Sequence, residues 1–102
     1  MVQIIEARRE ALAALCRKYG VVRLYLFGSA LREDFRAGES DIDLLVDFGS
    51  MDGRSKAHAY FDLLEELSSL LGARIDLVMV GALKNRFIAR EVESTKQVLY
   101  AA

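Results

Sequence analysis

The chain has 102 residues, 53% of them hydrophobic and 28% charged, which is the composition of a globular protein and the length of one domain. Its 14 Lys and Arg against 15 Asp and Glu give a net charge of -1, so there is no general basic field to hold a nucleic acid. The single cysteine excludes a disulfide framework and a cysteine-based zinc site. We therefore expect a single domain over residues 1–102, with no direct nucleic acid binding, no membrane segment and a cytoplasmic location.

The first half of the chain is predicted to contain one helix and two strands. The helix covers about residues 3–19 and ends at Gly20. Its apolar face is formed by Ile5, Leu12, Leu15, Cys16 and Tyr19. On that face Cys16 is expected to be an inert core thiol. A strand over residues 21–27 is apolar almost throughout, which predicts a central position in a sheet, and a second strand covers residues 41–48.

The second half is predicted to contain two helices separated by a strand. The helix over about residues 55–71 has an apolar stripe of Tyr60, Phe61, Leu64, Leu67 and Leu71. A strand at 74–80 follows, then a helix from about 83 to 92 that buries Leu83, Phe87, Ile88 and Val92, and then a short edge strand at 97–100. This alternation predicts an α/β protein, or a compact α+β sheet with helices packed on it. The short connection between the first two strands leaves their relative direction open.

Acidic and apolar residues alternate along the second strand. Ile42, Leu44, Val46 and Phe48 share one face, whereas Asp41, Asp43, Leu45 and Asp47 share the other. Two carboxylates one residue apart repel each other, and Mg²⁺ would supply the missing positive charge. A polar strand edge that faces water would show the same pattern, so this strand alone leaves both interpretations open.

Residues suited to binding phosphate precede these aspartates. Gly28-Ser29 ends the first strand, where a glycine lets the backbone approach a phosphate and the next N–H and hydroxyl can donate to its oxygens. Arg32 and Arg36 follow within reach and can bind phosphate oxygens. A simple turn followed by solvated arginines is the alternative.

A third carboxylate, Asp76, lies in the apolar strand at 74–80, where Ile75 and Leu77 share the opposite face. An acidic residue in such a strand is costly if it is buried without a partner. A metal ion, a neighbouring cation or simple exposure would each remove that cost, and the strand alone does not decide between them.

The ordered set of Gly28-Ser29, Arg32, Ser40-Asp41-Ile42-Asp43-Leu44 and Asp76 resembles the polymerase-beta-type nucleotidyltransferase superfamily, and within it the minimal, MNT-type members. The resemblance spans essentially the whole chain. It implies a polymerase-beta-like nucleotidyltransferase fold, in which helices pack on a small mixed sheet.

The resemblance also implies a site and a cofactor. The implied catalytic and metal-binding residues are Asp41, Asp43 and Asp76, which would hold two Mg²⁺ ions that Mn²⁺ can replace. The implied nucleotide-binding residues are Gly28, Ser29, Arg32 and Ser40. Within this set, Asp76 would complete the ion at the attacking hydroxyl and help to position that nucleophile.

The function implied by the resemblance is transfer of a nucleotidyl group, AMP from ATP, to an acceptor. Minimal members are typically encoded beside a helical HEPN-domain protein, so the expected acceptor is a tyrosine of a HEPN toxin that this chain would neutralise as its antitoxin. A homo- or hetero-oligomer is compatible with this interpretation. The alternative is a binding module that neutralises its partner by contact with little or no catalysis. A third interpretation is a structural α/β domain whose aspartates form a hydrated strand end.

Overall fold

A computed structural model describes residues 3–28, 41–82 and 85–102, with Gln3 and Ile4 described by their backbone alone. The elements in chain order are α1 (Gln3–Ala7), α2 (Arg9–Lys18), β1 (Arg23–Phe27), β2 (Ile42–Asp47), α3 (Gly53–Leu71), β3 (Ile75–Met79), α4 (Arg86–Thr95) and β4 (Gln97–Ala101). The predicted α/β alternation is therefore confirmed; the first three strands are two residues shorter than expected, and β4 is one residue longer.

The four strands form one mixed sheet in the order β3-β2-β1-β4. Strand β1 is antiparallel to both β2 and β4, whereas β2 and β3 run parallel. The predicted central position of β1 and the predicted edge position of β4 are both confirmed. Because β1 and β2 run in opposite directions, the end of β1 and the beginnings of β2 and β3 meet at one end of the sheet, which we call the Asp43 end.

The core lies on one face of the sheet, under α2 and α3. Strand residues Leu24, Leu26, Ile42, Leu44, Val46 and Leu77 pack there with helix residues Leu12, Cys16, Leu63, Leu67 and Leu71. All of them are buried. Full burial of each large aliphatic side chain contributes about 1.5–3 kcal/mol. The predicted alternation of β2 is confirmed, since Asp43 and Asp47 lie on the other face and are only partly buried.

The predicted first helix is two helices, because the backbone leaves the helical conformation at Arg8, where φ is -112° and ψ is 15°. The Arg8 N–H donates to the Ile5 carbonyl, and the Arg8 carbonyl accepts from the Leu12 N–H as α2 begins. Ile5, Leu12 and Cys16 are buried as predicted. At the end of α2, Gly20 has a φ of +71°, and the Val21 N–H returns to the Cys16 carbonyl, which stops the helix.

Helix α3 buries a different stripe from the predicted one, because of the predicted residues only Leu67 and Leu71 are buried, while Tyr60 and Leu64 are half-buried. It begins after Asp52, whose carboxylate accepts from the Ser55 N–H at 3.0 Å, and it ends at Gly72 with a φ of +60°. The stripe consists of Ala59, Leu63, Leu67 and Leu71, spaced four residues apart. The prediction that Phe61 is buried was wrong. Its side chain is 65% exposed, because residues two positions apart in a helix lie on nearly opposite faces and Leu63 occupies the buried one.

Helix α4 was predicted to bury most of its apolar residues, and this was wrong. It begins at Arg86, where Asn85 caps it by accepting from the N–H groups of Phe87 and Ile88. Phe87 is 82% exposed and Ile88 is 50% exposed, while Val92 is buried. The protein covers α4 at the turn of Val92 and leaves the apolar first turn open. Leu83, also predicted to be buried, lies outside the described residues. No helix among the described residues is long and apolar enough to cross a membrane.

Candidate active site

Two of the predicted carboxylates lie side by side at the Asp43 end of the sheet. Asp43 of β2 is the register partner of Asp76 of β3 and, on its other side, of Phe27 of β1. Partners in a parallel pair project from the same face, so the two side chains are neighbours. Asp43 is half-buried, and Asp76 is exposed. Of the three explanations considered for Asp76, exposure therefore applies: the carboxylate faces solvent and bears no desolvation cost.

Asp41 lies immediately before β2 and pairs with a cation. Its Oδ1 is 3.0 Å from Nε of Arg74, with the two side chains 51% and 74% exposed respectively. Arg74 immediately precedes β3, and its carbonyl oxygen accepts from the Ile42 N–H at 2.9 Å. The parallel pairing of β2 with β3 thus continues to the residues just before the two strands and places Asp41 beside Arg74.

Gly28, the residue after β1, lies directly against the Asp43 carboxylate. A Cβ built on Gly28 would lie 2.2 Å from Oδ2 of Asp43, far inside contact distance. The backbone φ of Gly28 is +69°, a conformation that residues other than glycine rarely adopt. A glycine is therefore favoured here on two separate grounds, and one of them is the room that it leaves for the Asp43 carboxylate.

The remaining predicted residues, Ser29, Arg32, Arg36 and Ser40, belong to the stretch between β1 and β2 that lies outside the described residues. Their predicted roles stay predictions. Within the described ranges, no three acidic, histidine or cysteine side chains are grouped closely enough to hold a metal ion as they stand. Asp41 in this arrangement is engaged with Arg74.

The chemistry of the three carboxylates suits a hard divalent cation. Carboxylate oxygens are the ligands that Mg²⁺ and Mn²⁺ prefer, and Mg²⁺ is commonly held by one or two of them together with substrate phosphates. Asp41 and Asp76 are exposed, so a cation and its phosphate ligands could reach them from solvent. The residues present therefore fit such an ion.

Sequence reasoning missed two residues that support this end of the sheet. Arg74 stands two positions before Asp76, as Asp41 stands two before Asp43, so a parallel register for the two strands would have indicated the pair. Tyr60 of α3 donates its hydroxyl hydrogen to the Leu77 carbonyl at 2.6 Å, on the residue next to Asp76. No pattern in the sequence pointed to that contact.

Comparisons with known proteins agree with this architecture. The nucleotidyltransferase domain model matches residues 8–99. The chain is 38% identical over 81 residues to the protein adenylyltransferase MntA of Thermococcus cleftensis, covering 76% of this chain and 78% of that protein.

Solved structures show the same fold. The structure of a provisionally named minimal nucleotidyltransferase superimposes with a TM-score of 0.74 at 34% identity, covering 91% of this chain and 90% of that one. A chain from the complex of a tri-AMPylated Shewanella oneidensis HEPN toxin with its MNT antitoxin gives a TM-score of 0.62 at 23% identity, covering 95% of this chain and 72% of that one. With the mixed sheet, the carboxylates at one end of it and a family match over most of its length, the chain belongs to the nucleotidyltransferase domain family, among its minimal, MNT-type members.

Proposed function

We propose that this chain is a protein adenylyltransferase that moves AMP from ATP onto a tyrosine of a HEPN-domain partner and thereby acts as an antitoxin. The observation that carries the proposal is the pairing of Asp43 with Asp76 across β2 and β3, with Gly28 held against the Asp43 carboxylate. Support for the transferred group and for the partner comes from the MntA relative and from the HEPN–MNT complex of like fold.

In this proposal Asp41, Asp43 and Asp76 hold the divalent cations, Mg²⁺ or Mn²⁺. When bound there, such cations would offset the negative charge of the triphosphate and of departing pyrophosphate. Gly28 keeps the backbone close to Asp43, and the residues after it, Ser29 and Arg32 together with Ser40, bind the nucleotide. The exposed carboxylate of Asp76 is open to an incoming tyrosine hydroxyl and orients that hydroxyl for attack.

The test mixes the chain with its HEPN-domain partner and radiolabelled ATP in the presence of Mg²⁺. We expect label on a partner tyrosine, identified by mass spectrometry. Asp43→Asn should reduce both nucleotide binding and transfer. Asp76→Asn should keep most nucleotide binding but lower the transfer rate by about a hundredfold, the scale of an electrostatic contact made mainly in the transition state.

The matched control is Asp62→Asn, which makes the same change at an exposed aspartate of α3 and should transfer as the parent does. Contact alone would be the function if the Asp43→Asn protein still bound and silenced its partner without labelling it. Unlabelled partner in the parent reaction, with toxicity still suppressed, would lead to the same conclusion.

A further inference from the structure

At the Asp43 end of the sheet, the backbone pairing of β2 with β3 places the side chains of Arg74 and Asp41 next to each other, where they form an ion pair. Nε of Arg74 lies 3.0 Å from Oδ1 of Asp41. The hydrogen bond from the Ile42 N–H to the Arg74 carbonyl holds the two chain segments side by side. The pair therefore follows from the same register that sets Asp43 opposite Asp76.

A guanidinium and a divalent cation compete for a carboxylate, because each needs its oxygens and the two positive charges repel each other. While Asp41 is paired with Arg74, the described residues contain no three acidic side chains grouped closely enough to hold a metal. Asp41 would have to turn away from Arg74 to join Asp43 and Asp76 around a cation.

We propose that Arg74 is a positioning residue that holds Asp41 off the metal site until cation and nucleotide arrive together. This rests on the proposed function, in which Asp41 is a metal ligand. In the metal-free protein the guanidinium supplies positive charge next to the Asp41 carboxylate. Opening the pair costs free energy, so a cation alone binds weakly, whereas the phosphates of a nucleotide add ligands that offset the cost.

The test titrates Mn²⁺ into the nucleotide-free protein and follows binding by electron paramagnetic resonance. Arg74→Gln should bind Mn²⁺ about two- to fivefold more tightly than the parent, the size expected for the loss of one exposed ion pair. The same variant should also show a smaller gain in Mn²⁺ affinity when a non-hydrolysable ATP analogue is added. Because the Arg74 side chain is 74% exposed, the urea midpoint should stay that of the parent.

The control for net charge is Arg23→Gln. Arg23 is exposed and is the strand-register partner of Asp47, at the opposite end of β1. Its removal therefore changes the net charge without removing a contact to Asp41. At about 0.15 M salt its effect on Mn²⁺ affinity should be small, since charges more than about 8 Å apart are screened.

The decisive comparison repeats Arg74→Gln in an Asp41→Asn background, where the gain in affinity should disappear because the carboxylate for which Arg74 and the cation compete is then absent. A gain that persists there, or an Arg74→Gln protein that binds Mn²⁺ no better than the parent, overturns the proposal. Failure of the proposed metal role gives a different result: Asp41→Asn alone would then bind Mn²⁺ and nucleotide as the parent does.

Discussion

Gly28 has two constraints that can be separated, because another glycine of the chain shares only one of them. Gly28 and Gly72 have φ values of +69° and +60°, so an alanine would be strained at either position. A Cβ on Gly28 would lie 2.2 Å from Oδ2 of Asp43, whereas a Cβ on Gly72 would meet nothing within 4 Å. The difference between the two substitutions therefore reports the contact with Asp43.

We expect Gly28→Ala and Gly72→Ala each to lower the free energy of unfolding by about 1 kcal/mol, the cost of a left-handed conformation for alanine. Gly28→Ala should in addition displace the Asp43 carboxylate and weaken Mn²⁺–nucleotide binding at least severalfold. Urea denaturation measures the first effect, and calorimetric titration of a non-hydrolysable ATP analogue measures the second. Equal nucleotide affinity in the two variants would show that the close approach of Gly28 does not serve the site.

At the scale of elements, α3 offers a comparison between two large apolar residues two positions apart. Leu63 is fully buried under the sheet, and Phe61 is 65% exposed. Leu63→Ala should lower the free energy of unfolding by about 2–5 kcal/mol, because it removes buried methyl groups and leaves a cavity. Phe61→Ala should change it by about 0.5 kcal/mol or less.

Urea denaturation followed by circular dichroism distinguishes the two variants. A large loss of stability for Phe61→Ala would mean that this ring is covered in solution, by a partner or by a second copy. Equal midpoints for the two variants would contradict the position of the core on the Leu63 side of α3.

The strands were the most predictable elements. Successive side chains of a strand point to opposite faces, so the alternation of apolar and polar residues identifies the buried face without knowledge of the neighbouring elements. Ile42 and Leu44 on one side, with Asp43 between them, could be assigned from the sequence alone. The helices were less predictable, because hydrophobicity shows which residues could be buried but not how far the neighbouring structure extends. Phe87 and Ile88 have the spacing of a core face, but nothing among the described residues covers them fully.

At the scale of the whole molecule, the site depends on a topology that the sequence leaves open. The resemblance predicted Asp41, Asp43 and Asp76, and the parallel pairing of β2 with β3 is what sets Asp43 beside Asp76. The contact of Gly28 with Asp43 follows from the antiparallel pairing of β1 with β2, a direction that the short connection did not decide. The three carboxylates could therefore be predicted from the resemblance, whereas the close approach of Gly28 to Asp43 and the ion pair of Asp41 with Arg74 could not.

Cys16 reports on the integrity of this whole arrangement, because it is fully buried between the sheet and the helices. Cys16 is buried as predicted, and this burial raises the pKa of its thiol from 9.0 to about 12. The inertness of the thiol stays a prediction. At pH 8 we expect a thiol reagent to label Cys16 only at the rate at which the protein opens, and at once in urea. Rapid labelling of the folded protein would contradict this burial.

The same pKa shift makes stability depend on pH. Between pH 9.0 and about 12 the thiol ionises in the unfolded chain but not in the folded one, so the unfolded state binds fewer protons and stability falls as the pH rises. The slope contributed by one thiol is at most about 1.4 kcal/mol per pH unit. Urea midpoints measured from pH 8 to 11 test this, and Cys16→Ala, which lacks the thiol, should show a shallower decline.

The pairing of β4 with β1 joins two strands between which β2, α3, β3 and α4 all intervene in the chain. Closing so long a loop is slow, since its entropy must be lost before the strand contacts form. During synthesis β1 can pair with β2, and α2 and α3 can cover their common face, while β4 has yet to leave the ribosome. For that interval the other side of β1 is an unpaired strand edge that another nascent chain could occupy. When β4 pairs with β1, this strand edge is covered, and Nζ of Lys96 lies 4.1 Å from the centre of the Tyr25 ring.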